Sequence, residues 1–239
     1  MQLNDVPRNY NRAAKQYDWW ADIVFGRILG YERFRERAIN LLGDLNGKTV
    51  LDVDCGTGRN FPLLVERVGE HGKIIGIDYS EGMLDRARRR VQANGWHNVQ
   101  IIHGDAVKLE GVPKTVDAVI SVWCYGIIYD LEAALERALK TLKPGGPMAI
   151  MDFAQARPDY GMRRWLYPVY SRVLQWIGID TADDLDDAKL REKWRHGKQV
   201  LNAHLNGFRE QRYAQGAGII LSGTTPSAPK APHTLIEPQ

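Results

Sequence analysis

The sequence predicts an α/β fold built on a doubly wound, mostly parallel sheet of seven strands. Three observations carry this expectation. Between residues 48 and 153, short apolar runs of strand length alternate with longer helical patterns, the rhythm of successive βα units. The first of these runs ends in Gly56-Thr57-Gly58 where a helical pattern opens, which is a tight turn between a buried strand and a helix N-terminus. After residue 154 the rhythm lapses, and two strand-like runs at 208–213 and 218–222, joined by a short turn, close the sheet.

Taken in order, residues 8–42 carry a helical pattern, with Tyr10, Ala13, Ala14 and Tyr17 on one side and Ile23, Val24, Ile28 and Leu29 continuing it. This predicts a helical extension over 1–44, in which the adjacent Trp19 and Trp20 fall on either side of a helix edge. Val50-Leu51-Asp52-Val53 is a buried strand with an acid inside it. A helix over 60–68 follows and is closed by the glycines of 69–72. The second strand spans 73–78. Ser80 caps a helix over 81–94, and Gly95 ends it. The third strand spans 99–103, and the fourth spans 116–122 and runs into the aromatic loop 123–129. Asp130 begins a helix reaching Thr141, broken by Lys143-Pro144-Gly145-Gly146. The fifth strand, 147–153, carries its proline at the permitted first position. The α/β core therefore covers 45–153.

Beyond it lies a helical insertion. Trp165, Leu166, Val169, Tyr170, Val173, Leu174 and Ile177 form an apolar helical stripe with Arg163, Arg164 and Arg172 beside it. The acidic run at 183–187 reads as a solvated start to a helix over 188–206. Helices and closing strands fill 154–222, and the Pro-rich stretch 223–239 is expected to be disordered.

Composition narrows the function classes. With 239 residues, 44% of them hydrophobic and 26% charged, the chain can bury one full core. Its net charge of +3 is not gathered into a block, so nothing favours nucleic acid as a partner. Cys55 and Cys124 have no metal-like spacing and fit a reducing compartment. The N-terminus lacks an apolar signal region, and the apolar run 118–129 is too short to cross a bilayer, so a cytoplasmic protein is expected.

The glycine turn marks a ligand site, because glycines let the main chain approach a bound molecule while the next helix aims free N–H groups at it. A dinucleotide fingerprint would want a third glycine or alanine where Phe61 stands, and no Gly-Lys-Ser/Thr follows to make a phosphate loop. Asp78, at the carboxyl end of the second strand, is placed to accept hydrogen bonds from two ribose hydroxyls. The stretch KTVLDVDCGTGRNF at 48–61 resembles motif I of the class I S-adenosylmethionine-dependent methyltransferases, V-L-D-x-G-C-G-T-G, with Asp54 where that family has glycine. The Gly104-Asp105-Ala106 turn and the K-P-G-G break before the fifth strand also resemble that fold. Tyr17-Asp18, Met151-Asp152-Phe153 and the aromatic segment 165–178 are similar to the ubiquinone/menaquinone C-methyltransferases and to relatives that methylate lipid head groups and natural products.

The resemblance implies S-adenosylmethionine as cofactor, an antiparallel terminal strand and an N-terminal lid over the site. It further implies cofactor contacts from Tyr17 in that lid, from Asp52, Asp54, Cys55, Gly56, Thr57 and Gly58 in motif I, from Asp78, Tyr79 and Met83, from Gly104, Asp105 and Ala106, and from Ser121. Asp105 is the acid expected to meet the adenine amino group. Tyr10, Trp123, Tyr125, Tyr129 and Tyr170 are expected to bind a small apolar or amphiphilic acceptor, although core packing accounts for any one of these rings as well. Contact with a membrane surface through the flanking arginines belongs to the same expectation. No metal and no covalent residue is required. A general base, where one is needed, would come from His103, Tyr125, Tyr129, Asp152, His196 or His204. Asp54 keeps two alternatives open, a non-catalytic cofactor-binding protein and a nicotinamide enzyme.

Overall fold

Neighbouring apolar residues in a strand face opposite sides of the sheet, so a run without polar gaps requires cover on both sides. The computed structural model, which describes residues 30–162, 164, 165, 167, 172 and 187–227, supplies that cover. Strands β1 (Thr49–Val53), β2 (Lys73–Asp78), β3 (Val99–His103), β4 (Ala118–Val122), β5 (Pro147–Phe153), β6 (Asn206–Tyr213) and β7 (Gly218–Thr224) form one sheet in the order β3-β2-β1-β4-β5-β7-β6. The first five are parallel. β7 runs antiparallel to both β5 and β6.

Helices α1 (Glu32–Asn40), α2 (Phe61–Val68) and α3 (Glu81–Asn94) bury Ile39, Leu64 and Leu84 against Val50, Ile74, Ile120 and Met151 on one face. Helices α4 (Leu131–Thr141) and α5 (Asp187–His204) bury Leu135, Trp194 and Leu201 against Leu51, Ile75, Val119 and Ile150 on the other. Local chemistry sets the helix ends. The Ser80 hydroxyl accepts the Met83 N–H at 3.3 Å, the Asp130 carboxylate accepts the Ala133 N–H at 3.0 Å, and Gly95 leaves α3 in the left-handed region at φ 65°.

Phe61 explains how the first βα turn works without a third glycine. Its ring is fully buried and fills the space over Gly58 and Gly76, where an added Cβ would lie 2.6 and 2.7 Å from ring carbons. Side-chain volume on the helix is thus matched by its absence on the turn and on β2.

Several expectations need correction. Within the helical extension expected over 1–44, the described part is Gly30 at φ 64° followed by helix α1 from Glu32 to Asn40. Residues 1–29, and with them Tyr10, Tyr17, Trp19 and Trp20, lie outside the described residues, as does most of the stripe at 165–177. β4 begins at Ala118, two residues later than expected. Val116 makes only an isolated bridge to Leu142, and the Asp117 carboxylate turns aside to accept the Thr49 N–H at 2.9 Å and the Lys143 ammonium at 2.6 Å. The closing strands start earlier, at Asn206, and end later, at Thr224. The tail expected to be disordered from 223 is therefore ordered at its start. Gly223 and Thr224 belong to β7, and the Thr225 hydroxyl accepts the Gly146 N–H and donates to the Lys143 carbonyl, stapling the chain to the K-P-G-G turn.

Candidate active site

In an open parallel sheet a crevice opens where successive connections leave on opposite faces, and here that point lies between the carboxyl ends of β1 and β4. The loop leaving β1 turns through Asp54, Gly56 and Gly58, all at positive φ. Gly56 needs this freedom and is also open, since an added Cβ would meet no atom within 4 Å. Two bonds hold the loop. The Gly56 N–H donates to Asp78 Oδ2 at 2.8 Å, and the Cys124 thiol donates to the Asp54 carbonyl at 3.0 Å, joining the loops that follow β1 and β4.

Acids from four strands meet around this crevice. Asp52, inside β1, is fully buried; burial raises its pKa to about 7 against the opposing Asn60 hydrogen bond and Arg35 charge. Asn60 donates to its Oδ1 at 2.9 Å, and Oδ2 has no partner. Asp78 is raised to about 6 by burial, with the Ser80 and Gly56 N–H bonds opposing the rise. Asp152, at the end of β5, is likewise raised to about 6 by burial while accepting the N–H groups of Gly126 and Phe153 at 2.8 and 2.7 Å. Asp54 is held well above the carboxylate range by burial and then by the charges of Asp78, Asp105, Asp52 and Asp152. Asp105 accepts the Val107 N–H at 2.9 Å and the Tyr129 hydroxyl at 3.0 Å.

These carboxyls bind protons more strongly in the folded chain than in the unfolded one, where Asp titrates near 3.8. Their contribution to stability is therefore fully present below about pH 4 and is lost as pH rises through about 6 to 7. The cofactor-free protein should melt at a higher temperature at pH 5 than at pH 8. A melting temperature that is equal or higher at pH 8 would show that burial does not control these groups.

The structure sorts the expected site residues into two groups. Asp54, Gly56, Asp78, Asp105 and Tyr129 stand together at the crevice. Cys55, Thr57, Met83 and Ala106 are buried around it, and Gly104 donates its N–H to the Asp78 carbonyl at 3.0 Å. The Tyr79 ring lies 5.8 Å from that of His103. Ser121 is enclosed within β4, its hydroxyl without a partner.

The aromatic loop is not the wall it was expected to be. Trp123 sits at φ 63°, which turns its ring into the α1 side of the sheet, stacked on Phe153 at 6.5 Å, under the Arg35 guanidinium and donating Nε1–H to the Tyr213 hydroxyl at 2.8 Å. Tyr125 is fully buried in the α4 side of the core, and its hydroxyl has no partner. Tyr129 alone of the three is well exposed, at 47%. Tyr170 lies outside the described residues.

His196 and His204 are exposed on α5, paired with Glu132 and Glu192 and with the Val200 carbonyl respectively, and His103 accompanies the Tyr79 carbonyl. His103, the register partner of Asp78 across β2 and β3, lies beside the crevice, whereas the contacts of His196 and His204 stay within α5 and its neighbour α4. Sequence reasoning missed four supports. Asn60 and Arg35 brace Asp52, Cys124 ties the two loops, and Lys193 of α5 donates to the carbonyls of Gly126 and Ile128. None of these roles is legible in the sequence, because each depends on contacts outside the helix or loop that carries the residue.

This donor set suits S-adenosylmethionine. The Asp78 carboxylate accepts the Gly56 and Ser80 N–H groups and retains acceptor capacity for a ribose hydroxyl, the space over Gly56 is open, and a ring of acids matches a ligand carrying sulfonium and ammonium charges. The comparisons agree. The model of the ubiE/COQ5 methyltransferase family matches residues 2–220. A demethylmenaquinone methyltransferase of Desulfitobacterium hafniense is 28% identical over 92% of this chain and 90% of its own length, and one from Geobacillus stearothermophilus is 32% identical over 71% and 70%. Among solved structures, a SAM-dependent methyltransferase from Aquifex aeolicus aligns with TM-score 0.57 at 23% identity over 80% of this chain and 89% of its own. The N-methyltransferase NodS of Bradyrhizobium japonicum, in complex with S-adenosylhomocysteine, aligns with TM-score 0.55 at 16% identity over 82% and 88%. At those identities the structures establish the fold. The match to the family model over most of its length makes this chain a member of the ubiE/COQ5 methyltransferase family and a class I enzyme that uses S-adenosylmethionine.

Proposed function

We propose that the acceptor is a small amphiphilic molecule with a hydroxylated aromatic ring, a quinol precursor, methylated on a ring carbon. The observation that carries this reading is the similarity, over nine tenths of both chains, to a protein named demethylmenaquinone methyltransferase. No observation favours a non-catalytic binder or a nicotinamide enzyme. The sulfonium supplies an activated methyl group, so the chain's own task is to align the ring, exclude water and take a proton from the acceptor hydroxyl so that electron density reaches the carbon. Asp152 is the candidate for that proton. It lies at the end of β5 beside the crevice, is nearly buried, and ionises at about 6.

An amphiphilic acceptor partitions into membranes, and the exposed Tyr160, Met162 and Trp165, with Arg164 among them, support contact with a membrane surface from the cytoplasm. Among the described residues no helix is long and apolar enough to cross a bilayer.

The test is transfer of labelled methyl across a reduced naphthoquinol, phosphatidylethanolamine, small amines and bulk RNA. Naphthoquinol should be methylated. Asp152→Asn should lower kcat by about 10²- to 10⁴-fold, the usual worth of a general base, and remove the rising limb of the pH profile near 6 while leaving cofactor affinity within about threefold. Transfer to amines or RNA alone would reject the acceptor, and an unchanged pH profile in the variant would reject Asp152 as the base.

A further inference from the structure

The Asp152 carboxylate rests against a turn that a helix holds from behind. Along β5, Met148 and Ile150 pack on the side of α4 and α5, so alternation sends Asp152 to that side as well. There the 3₁₀ turn Tyr125–Ile127 meets it. The Gly126 N–H donates to Asp152 Oδ2 at 2.8 Å, and a Cβ added to Gly126 would lie 3.4 and 3.6 Å from the two carboxylate oxygens and 3.5 Å from Leu190 of α5. The turn therefore fills the gap between carboxylate and helix.

We propose that Lys193 of α5 is a positioning residue for Asp152, fixing this turn so that the Gly126 N–H keeps the carboxylate in place. The Lys193 ammonium donates to the Gly126 carbonyl at 2.7 Å and to the Ile128 carbonyl, so one side chain binds the middle of the turn and its exit. Gly126 is thus held from both sides, its N–H by Asp152 and its carbonyl by Lys193, at a residue whose backbone is otherwise the freest to move. The helix that carries Lys193 is itself anchored. Asp187 Oδ1 accepts the N–H groups of Ala156 and Arg157 at 2.6 and 3.0 Å, on the chain that leaves β5. Behind Lys193, Trp194 is fully buried, and a Cβ added to Gly197 would lie 2.9 Å from Leu131 of α4, so the two helices are in close contact.

The ammonium also brings charge. Burial raises the Asp152 pKa to about 6, against the N–H bonds of Gly126 and Phe153 and the charge of Lys193. The Asp152 charge acts in turn on Asp54 from the loop after β1, on Cys124 from the loop after β4 and on Tyr213 of β6. Those three are acids, and the cation Lys193 favours the ionised carboxylate. Loss of Lys193 should therefore loosen the turn and raise the pH at which Asp152 gives up its proton. The role rests on Asp152 as the proton acceptor proposed above; the experiment reads the carboxyl separately from the rate, so the two can fail apart.

The test is carbon-13 NMR titration of the side-chain carboxyls in the full chain labelled at aspartate, for wild type, Lys193→Met, Lys193→Gln and Lys193→Arg, with the Asp152 signal assigned by its absence from Asp152→Asn. Methyl transfer to a reduced naphthoquinol is followed against pH for each, beside a thermal melt. In Lys193→Met and Lys193→Gln the Asp152 midpoint should rise by about one pH unit. Their kcat should fall about tenfold at pH 6.5 and about threefold at pH 8.5, the difference being the share of Asp152 left protonated, with donor Kd within about threefold of wild type. Lys193→Arg keeps the charge and the donors and should restore most of both. An Asp152 midpoint unmoved in the Met and Gln variants would overturn the proposal whatever the rate does, since Lys193 would then support only the fold. A wild-type kcat at pH 6.5 in those variants, while Asp152→Asn is impaired, would overturn it too. If the midpoint moves but Asp152→Asn leaves the rate profile intact, Asp152 is not the base, and the hold of Lys193 on its carboxylate stands.

Discussion

Asp78→Ala should weaken S-adenosylmethionine binding by about 10²-fold or more. Two ribose hydroxyls donating to an ionised carboxylate are worth about 1.5–3 kcal/mol each, and every 1.4 kcal/mol is tenfold. The structure adds a second loss. The same carboxylate accepts the Gly56 N–H and the Ser80 N–H, both at 2.8 Å, so its removal also frees the turn that faces the ligand and the first residue before α3. Asp78→Asn keeps one acceptor but sets its amide N–H₂ against one of those donors, and should fall between wild type and alanine. Calorimetric titration measures both variants, with a thermal melt beside each to show that the chain is folded. An alanine variant within threefold of wild-type affinity would remove Asp78 from the site.

Phe61→Ala should cost about 3–5 kcal/mol of folding stability, the range for emptying a buried aromatic site. Relaxation cannot readily recover the loss, because Gly58 and Gly76 carry no side chains that could move into the space the ring leaves. Denaturant unfolding gives the magnitude. A loss below about 1 kcal/mol would mean that the ring does not fill the gap between β2 and the turn. Since the ring supports the loop carrying Gly56, the folded variant should also bind the cofactor more weakly than its stability alone would explain.

Phe61 shows how a single position can be legible in one respect and not in another. Its size excluded the dinucleotide fingerprint from sequence, because that motif needs close approach of helix and strand at this point. The glycine on β2 that makes room for it could not be paired with it without the register of Thr49 with Lys73, which places Gly76 opposite Asp52. Trp123 is the converse. Its place after a strand on the ligand side of the sheet suggested a pocket wall, yet at positive φ the half-buried ring packs against the α1 side of the core, stacked on Phe153. A bulky residue rarely adopts positive φ, so sequence pattern favoured the other direction.

What the sequence determined by itself is short-range. Apolar runs of strand length between helical patterns, Ser80 and Asp130 as caps, Gly95 as a terminator and the Gly56-Thr57-Gly58 turn all express physics acting within a few residues, and the strands and helices between 73 and 153 followed closely. The tertiary structure decided what those elements bring together. Only the sheet order sets Asp54, Asp78, Asp105 and Asp152, which are spread over a hundred residues of chain, around one crevice, and only there do their charges act on each other. Arg35 and Lys193 join the site by the same route, one from each side of the sheet. Charge and burial depend on distance in space, and spacing along the chain does not encode that distance until the sheet has formed.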